Sequence, residues 1–353
     1  MACLQDVLRG RDNNLNLVRA VAATGVLVSH AWPIALGTGT PEPLSRLSGG
    51  MTLGTACVVV FFAISGFLIT ASWDRSRAVG PFLRARVLRL WPGLAVSLAL
   101  VALVMAPLVA DRPAAAQIAD PGTWTFLLRN LLLVSPQYTL PEVFEGNPYP
   151  AVEGSIWTLV HEVACYAGVL ALGVAGLLAD RNRMRWSLVA LFAAWLLLVP
   201  LASTLHPKLV DLHRLSLPFL MGGALYAWRD RVPMNGAAAL LALVAALSAG
   251  HVLSEPAAHV LRCAGLLYAT FWIGYVPAGR MRLYNRAGDY SYGIYIYAFP
   301  IQGLVVWAFG PQGPWTNVAL SLPPTLLLAA LSWHLVEKPA LSFARPRART
   351  VAA

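Results

Sequence analysis

The amino-acid sequence predicts an all-α, polytopic membrane protein of about ten transmembrane helices with both termini in the cytoplasm. Apolar residues make up 58% of the 353 positions and charged residues 12%, which is about half the charged share of a typical soluble domain. The apolar residues form blocks of about 17–25, the length of a helix that crosses a membrane. Lys and Arg are concentrated in alternate connections between the blocks, the pattern that orients membrane proteins.

The form of the apolar blocks favours helices over strands. They are continuously apolar, without the alternation that a membrane β-barrel requires. Backbone groups inside a bilayer must satisfy their own hydrogen bonds, which a helix does within one segment. The predicted spans are residues 15–37, 51–73, 90–110, 155–179, 186–203, 215–229, 236–252, 260–277, 291–309 and 317–337.

The first block follows Arg9 and Arg11, as the apolar region of a signal peptide would. It is longer than such a region, contains Arg19 and lacks a small-x-small cleavage site before a soluble domain. We therefore interpret it as an uncleaved first helix.

The distribution of positive charge predicts the orientation. With a cytoplasmic N-terminus, cytoplasmic segments carry nineteen of the 26 Lys and Arg residues, and the opposite side and its margins carry six. Arg19 lies inside the first span. Because positive charge is retained in the cytoplasm, both termini are predicted there. Residues 111–154 then form an extracytoplasmic loop, with a short amphipathic helix over 123–134 along the membrane surface, and the whole chain forms one transmembrane domain.

Charge and cysteine content exclude two further classes. The net charge of +10 follows mostly from topology, and it fits contact with anionic lipid better than binding of nucleic acid. The four cysteines, Cys3, Cys57, Cys165 and Cys263, have no paired spacing, so they predict neither a disulfide framework nor a zinc site.

Ionisable residues inside the predicted spans are candidates for function, since they are costly in a membrane. Arg19 and His30 lie eleven residues apart, close to three turns, so they share a face of the first helix about 16 Å apart. Glu162 and His30 each lie about seven residues from the outer end of their spans. We predict that they meet in one outward-leaning pocket, where the carboxylate would hold the imidazole ready to act as a general base. His161 points about 100° away from Glu162 and is interpreted as structural.

Each of these residues has a simpler explanation when taken alone. Arg19 could extend to the cytoplasmic headgroups, and His30 could be a hydrogen-bonded packing residue. Arg86 and Arg89, at the end of the predicted cytoplasmic loop 74–89, could serve only topology. They also share a helix face and could clamp phosphate groups through bidentate hydrogen bonds. Glu162 is the hardest to explain as structural, because a buried carboxylate without a partner is expensive.

Six segments in chain order together resemble one known family, the acyltransferase-3 family of integral membrane acyltransferases. They are Arg19 with His30 and the following Ala-Trp-Pro33, residues 60–69 (VFFAISGFLI), residues 82–92 (FLRARVLRLWP), residues 154–162 (GSIWTLVHE) with Tyr166, residues 291–300 (SYGIYIYAFP), and residues 337–339 (EKP).

The resemblance implies transfer of an acyl group, usually acetyl, from cytoplasmic acyl-CoA to a hydroxyl group. The acceptors it implies are saccharides or glycoconjugates, such as lipopolysaccharide or another surface polysaccharide, and the location is the bacterial inner membrane. Small-molecule natural products are acceptors of some members. Acetyl-CoA is then a donor substrate, with no permanently bound cofactor and no metal.

The resemblance also implies roles for particular residues. His30 would be the general base, or alternatively the carrier of a covalent acetyl group, and Glu162 would orient it. The residues expected to bind the donor are Arg19, Arg86 and Arg89, and Ser65 and Tyr166 are expected to position the reacting groups.

The chain departs from the family pattern at several positions. Ala298 replaces a histidine found in many members, Ala85 separates an arginine doublet, and His161 stands where an aromatic or apolar residue is usual. No periplasmic hydrolase-like domain follows the last span. Acceptor recognition is therefore expected from the membrane domain and its loops, notably residues 136–154.

Two other classes of function compete with the acyltransferase. A transporter or flippase of a lipid-linked or charged substrate would use the same intramembrane charges as a pathway, although the chain has no internal repeat of the kind that transporters often have. A structural or sensory membrane protein would leave Arg19, His30 and Glu162 without a purpose.

Overall fold

The computed structural model describes residues 2–8, 10 and 12–343, and the regular structure in these ranges is helical, without strands. The longer helices are labelled in chain order: α1 Leu15–Leu36, α2 Leu53–Ser76, α3 Val79–Val109, α4 Pro121–Leu132, α5 Trp157–Val174, α6 Arg181–Ala202, α7 Pro207–Ala227, α8 Gly236–Val252, α9 Glu255–Tyr275, α10 Ser291–Phe309 and α11 Pro314–Phe343. Shorter helical segments are Leu4–Val7, Pro43–Leu47, Ala114–Ala119 and a 3₁₀ segment at Gly279–Arg286.

Seven helices of the described ranges are long and apolar enough to cross a membrane, namely α1, α2, α3, α5, α6, α10 and α11. The count rises to eight if α9 and the Gly279–Arg286 segment, which meet at 85°, form one broken span. The prediction of an all-α multi-pass membrane protein is therefore confirmed. All ten predicted spans coincide with helices, but α8 has only 17 residues, and charged residues lower the apolarity of the first half of α7.

The number of ten spans and the cytoplasmic position of both termini remain predictions. Five of the nineteen positive residues counted for the orientation lie outside the described residues: Arg9, Arg11, Arg345, Arg347 and Arg349.

The prediction of a cytoplasmic loop over residues 74–89 is wrong. Helix α2 continues to Ser76 and α3 already begins at Val79. The turn between them is closed by Arg77, which adopts a left-handed conformation with φ of 45° and pairs with Asp74 at 3.0 Å. Arginine-rich sequence resembles a loop but is also compatible with helix propensity. Arg86 and Arg89 therefore lie on α3, as the prediction that they share a face at the start of the third helix required.

The extracytoplasmic position predicted for residues 111–154 also remains a prediction. Within this segment the chain forms α4 at Pro121–Leu132, two residues earlier than the predicted amphipathic helix. The Asp120 carboxylate caps α4 by accepting a hydrogen bond from the backbone N–H of Gly122, and Pro121 suits the first turn because it needs no N–H partner there.

Helix α2 packs against α7 with their backbones in direct contact. A Cβ atom at Gly66 would overlap the carbonyl oxygen of Phe219, and a Cβ atom at Gly222 would overlap that of Ala63. Small residues permit this close approach, which is a common way for helices to associate in a membrane. The contact fixes the lateral position of α2.

Helix α10 is the most enclosed of the seven long apolar helices. Every residue from Ser291 to Pro300 is buried, and Gly293 lies against the backbone of Ala329 in α11. Helices α1, α2 and α10 are therefore central, and α3 and α5 close over them on the side where the candidate site lies.

Candidate active site

A cavity of about 220 Å³, here called the Glu162 cavity, lies between helices α1, α2, α3, α5 and α10. Residues from five of the six sequence segments line it although they are far apart along the chain. Six of the seven site residues predicted from the sequence border the cavity: Arg19, Ser65, Arg86, Arg89, Glu162 and Tyr166.

The carboxylate of Glu162 is held by two hydroxyl groups. The Ser65 hydroxyl of α2 donates a hydrogen bond of 2.7 Å to Glu162 Oε1. The phenol of Tyr166, one turn further along α5, donates to the same oxygen. Hydrogen bonds to an ionised acceptor are shorter and stronger than neutral ones. Glu162 is therefore fixed by α2 and by its own helix, and in turn it fixes the two hydroxyl groups at the cavity wall.

Arg86 has no carboxylate within ion-pair distance among the described residues. Its guanidinium carbon lies 5.9 Å from the centre of the Phe82 ring and 5.8 Å from that of Tyr166, close enough for cation–π attraction. Its Nε is buried and makes no hydrogen bond. Native proteins rarely leave a buried donor unpaired without a reason, so the unpaired group points to a ligand.

Arg19 and Arg89 converge on one carboxylate, that of Asp289. A nitrogen of each guanidinium lies 2.6 Å from Asp289 Oδ2, and Arg89 also lies 3.7 Å from Glu337. Ser291 donates a hydrogen bond of 2.5 Å to Asp289 Oδ1. Burial by itself would raise the pKa of the Asp289 carboxyl, but the charges of the two arginines and the Ser291 hydrogen bonds hold this pKa well below its usual range.

Asp289 was not predicted as a site residue, although its position in the sequence is unusual. Asp289 is a single acidic residue in an arginine-rich connection, directly before the most enclosed helix. Glu337 was noted only as part of a family segment. Their roles depend on the three-dimensional proximity of Arg19, Arg89 and the last two helices, which the sequence does not give.

His30 lies in a different cavity, here called the His30 cavity, of about 250 Å³ between α1, α2, α5, α7 and α9. Its ring packs edge-on against Phe299, with centroids 5.2 Å apart. Val58 of α2 and Tyr295 of α10 border both cavities. The two cavities are therefore neighbours that share a wall.

The expected hydrogen bond between His30 and Glu162 is absent from the described contacts. Glu162 turns toward Ser65 and Tyr166, whereas His30 borders the other cavity. The prediction from the sequence compared only how far His30 and Glu162 lie along the axes of their helices. It could not show which neighbouring helix each side chain faces.

Tyr295 is held rigidly in the shared wall. Its hydroxyl lies 2.5 Å from Thr158 Oγ1 and donates a hydrogen bond of 2.9 Å to the carbonyl oxygen of Ser155. Its ring packs edge-on against Phe61, with centroids 5.9 Å apart. Movement of this wall would require these contacts to break.

His161 connects two helices. Its Nδ1 lies 2.8 Å from the carbonyl oxygen of Trp157 and its Nε2 lies 3.2 Å from that of Lys208 on α7. Both ring nitrogens face backbone carbonyl oxygens, and a neutral imidazole can donate a hydrogen bond to one of them, which fits the structural interpretation made from the sequence.

Comparison with known proteins identifies the class of protein. The family model described as an acyltransferase domain, Acyl_transf_3, matches residues 12–334, nearly the whole chain. The chain belongs to the acyltransferase-3 family, as the six segments predicted. It is a membrane-embedded enzyme of the class that transfers acyl groups other than amino-acyl groups.

Two curated relatives cover the chain almost from end to end. The O-acetyl transferase of Shigella phage Sf6 is 28% identical over 348 residues, which is 96% of this chain and 98% of that protein. Nodulation protein 10 of Rhizobium leguminosarum bv. viciae is 28% identical over 374 residues, which is 94% of each. No solved structure matches.

Proposed function

We propose that this enzyme transfers an acetyl group from cytoplasmic acetyl-CoA to a hydroxyl group of a saccharide or glycoconjugate, such as lipopolysaccharide or another surface polysaccharide, at the bacterial inner membrane. One observation carries the proposal: the Glu162 cavity collects three arginines, of which Arg86 has no ion pair among the described residues, and the neighbouring cavity contains His30, whose ring nitrogens make no hydrogen bond with those residues. The name of the Sf6 phage relative supports an acetyl group and an oxygen acceptor. Family membership favours an enzyme over a transporter.

The Glu162 cavity is proposed to bind the donor. Arg86 would contact a phosphate of coenzyme A, because among the described residues its guanidinium contacts aromatic rings but no carboxylate, and its Nε makes no hydrogen bond. Arg19 and Arg89 retain further N–H donors after binding Asp289, since a guanidinium has five. They can therefore contact phosphate while Asp289 holds them in place. The hydroxyl groups of Ser65 and Tyr166 would position the thin arm that carries the thioester.

His30 is proposed to act as the general base. It would remove the proton from the acceptor hydroxyl as the oxygen attacks the thioester carbonyl carbon, which the donor arm would have to carry past the shared wall at Val58 and Tyr295. The new carbon–oxygen bond forms, the carbon–sulfur bond breaks, and the leaving thiolate takes the proton from the imidazolium. In the alternative route, the acetyl group passes first to a ring nitrogen of His30, releasing the coenzyme A thiol, and then to the acceptor. In both routes Glu162 acts indirectly, by holding Ser65 and Tyr166.

The proposal is tested with radiolabelled acetyl-CoA and the full-length protein in nanodiscs, together with the O-acetyl content of host surface polysaccharide. We expect His30→Asn to lower transfer about a hundredfold or more, and Arg86→Gln to raise the KM for acetyl-CoA. The matched controls are His251→Asn and Arg84→Gln, at exposed positions outside both cavities. Transfer that survives His30→Asn at the level of the His251→Asn control would contradict the role of His30. Label that remains on denatured wild type, is released by hydroxylamine or by mild acid as expected of an N-acyl imidazole, and is missing from His30→Asn would support the covalent route.

A further inference from the structure

Most polar side chains of the His30 cavity already have a hydrogen-bond or ion-pair partner in the protein. Ser29 donates to Glu42 at 2.7 Å, Thr52 and Thr55 bond to each other at 2.9 Å, Arg214 pairs with Glu255 at 3.0 Å, and His259 Nε2 lies 3.0 Å from the carbonyl oxygen of Arg214. These groups shape the cavity but do not need a ligand.

Three groups in the same cavity have no hydrogen-bond or ion-pair partner in the described part of the chain. The Asp211 carboxylate of α7 makes no hydrogen bond or ion pair, and neither the His30 ring nitrogens nor the Trp157 indole N–H makes a hydrogen bond. All three side chains are half-buried. They come from α7, α1 and α5, so only the tertiary structure brings them to one place.

The chemistry of these three groups defines the ligand that would complement them. An ionised carboxylate only accepts hydrogen bonds, and an indole N–H only donates one. A hydroxyl group can do both, and the Trp157 ring offers an apolar surface beside them. Glu255 pairs with both Arg214 and Arg262, whereas the Asp211 carboxylate has no ion-pair partner among the described residues, so an anionic group placed directly against Asp211 would be repelled.

The size of the cavity restricts the ligand further. Its volume of about 250 Å³ lies just below the range of about 300–1,000 Å³ that is typical of pockets for drug-sized ligands. One sugar ring fits that scale, and the rest of a longer chain would have to lie outside.

We infer that the His30 cavity is the acceptor site, and that Asp211 together with the Trp157 indole selects one neutral sugar ring with adjacent hydroxyl groups and rejects anionic sugars. Asp211 accepts hydrogen bonds from two hydroxyls of the ring, and a third hydroxyl faces His30. Asp211 is thus a specificity-determining residue on the acceptor side. The inference rests on the proposed function for the identity of the cavity.

The test uses full-length protein in nanodiscs with methyl glucoside, methyl galactoside and methyl mannoside as neutral probes, and the matching methyl glycuronides as anionic ones. Binding is measured by saturation-transfer NMR and acetyl transfer with radiolabelled acetyl-CoA. We expect wild type to bind at least one neutral glycoside more tightly than its glycuronide. Asp211→Asn should raise the Kd for the neutral glycoside about tenfold to a hundredfold. It should also bring the affinities for the neutral glycoside and the glycuronide closer together, without changing the Kd for acetyl-CoA.

Two further variants make the result specific. Trp157→Phe keeps an aromatic surface but removes the N–H. We expect it to lower the affinity for the glycoside less than Asp211→Asn does. Asp111→Asn removes the same charge from an exposed carboxylate that borders a different cavity, and it should bind all probes as wild type does.

The outcomes separate this inference from the proposed function. The inference is overturned if no neutral glycoside binds, if glycuronides bind equally well, or if Asp211→Asn binds like the Asp111→Asn control. The proposed function fails instead if wild type neither binds acetyl-CoA nor forms an acetyl ester with any acceptor, whatever the glycoside affinities are.

Discussion

At the scale of single residues, the three arginines of the Glu162 cavity differ in how their charges are balanced. Asp289 neutralises part of the charge of Arg19 and Arg89, whereas Arg86 contacts two aromatic rings and has no ion pair among the described residues. Two oriented guanidinium groups beside a third that forms no ion pair suit a ligand with several phosphates, because the pair is oriented before the ligand arrives. Asp289 is therefore a positioning residue.

We predict that Asp289→Asn raises the KM for acetyl-CoA more than it lowers kcat. The substitution removes the charge that orients two guanidinium groups. We therefore expect the binding of acetyl-CoA to weaken more than the reaction at His30 slows. Because loss of one partner from a buried ion pair costs about 3–5 kcal/mol, the folded fraction must be measured by size-exclusion chromatography. Ser291→Ala, which removes only the hydrogen bond to Asp289 Oδ1, should produce a weaker change of the same kind.

Asp12→Asn is the control for this prediction. Asp12 pairs with Arg282, but its side chain is 58% exposed, and exposed ion pairs contribute only about 0–1 kcal/mol. Equal changes in kcat and KM for Asp289→Asn and Asp12→Asn would show that Asp289 has no special part in donor binding.

The residue scale also shows where prediction from the sequence stopped. Six predicted site residues border one cavity, but local spacing indicated only that Arg86 and Arg89 share a helix face, and Ser65 and Tyr166 were expected from the family resemblance. The partner of His30 could not be found this way. Its cavity is completed by Trp157, which belongs to a family segment but was not predicted as a site residue, and by Asp211, which lies outside the six segments.

At the scale of elements, the site depends on the close contact of α2 with α7. Helix α2 supplies Ser65 to one cavity and Val58 to the wall between the two, and α7 supplies Asp211. The glycine at position 66 lets these two helices touch. A shift of α2 away from α7 would therefore disturb both cavities at once.

We predict that Gly66→Ala lowers both thermal stability and acetyl transfer. The added methyl group would overlap the Phe219 carbonyl oxygen, and overpacking of this kind typically costs about 1–3 kcal/mol. The melting temperature of the detergent-solubilised protein, followed by fluorescence-detected chromatography, measures the effect.

Gly168→Ala in α5 provides the comparison. No atom lies within 4 Å of a Cβ at this position, and alanine favours a helix over glycine by about 1 kcal/mol. This variant should be as stable as wild type or slightly more stable. Equal melting temperatures for Gly66→Ala and Gly168→Ala would contradict a direct backbone contact between α2 and α7 at this position.

At the scale of the whole molecule, the proposed division of labour requires the arginines to face the cytoplasm. Acetyl-CoA is a cytoplasmic metabolite in this proposal, so the Glu162 cavity must open on that side. The His30 cavity, near the other end of α1, must then be reached from outside. The charge distribution of the sequence predicts this orientation.

We predict that an impermeant maleimide labels Thr38→Cys in intact cells, and Ser76→Cys only after the cells are opened. Thr38 lies in the connection between α1 and α2, and Ser76 is the last residue of α2. The two exposed positions are therefore separated by the length of α2. Cys3 is replaced by Ser in both variants, and the other three native cysteines are buried. The reverse labelling pattern would contradict a cytoplasmic N-terminus and with it the assignment of the donor side.

The sequence by itself determined the helical class, the positions of the helices to within a few residues along most of the chain, the family and the faces on which Arg86, Arg89 and Glu162 lie. These properties are local, because helix rise and side-chain period follow from the backbone and apolar length follows from the thickness of the membrane. Only the tertiary structure decided that Glu162 faces Ser65, that Asp289 joins Arg19 to Arg89, and that His30 shares a cavity with Asp211. Those neighbours depend on how helices rotate and pack against one another, and glycine contacts far apart in the sequence, such as Gly66 with Phe219, fix that packing.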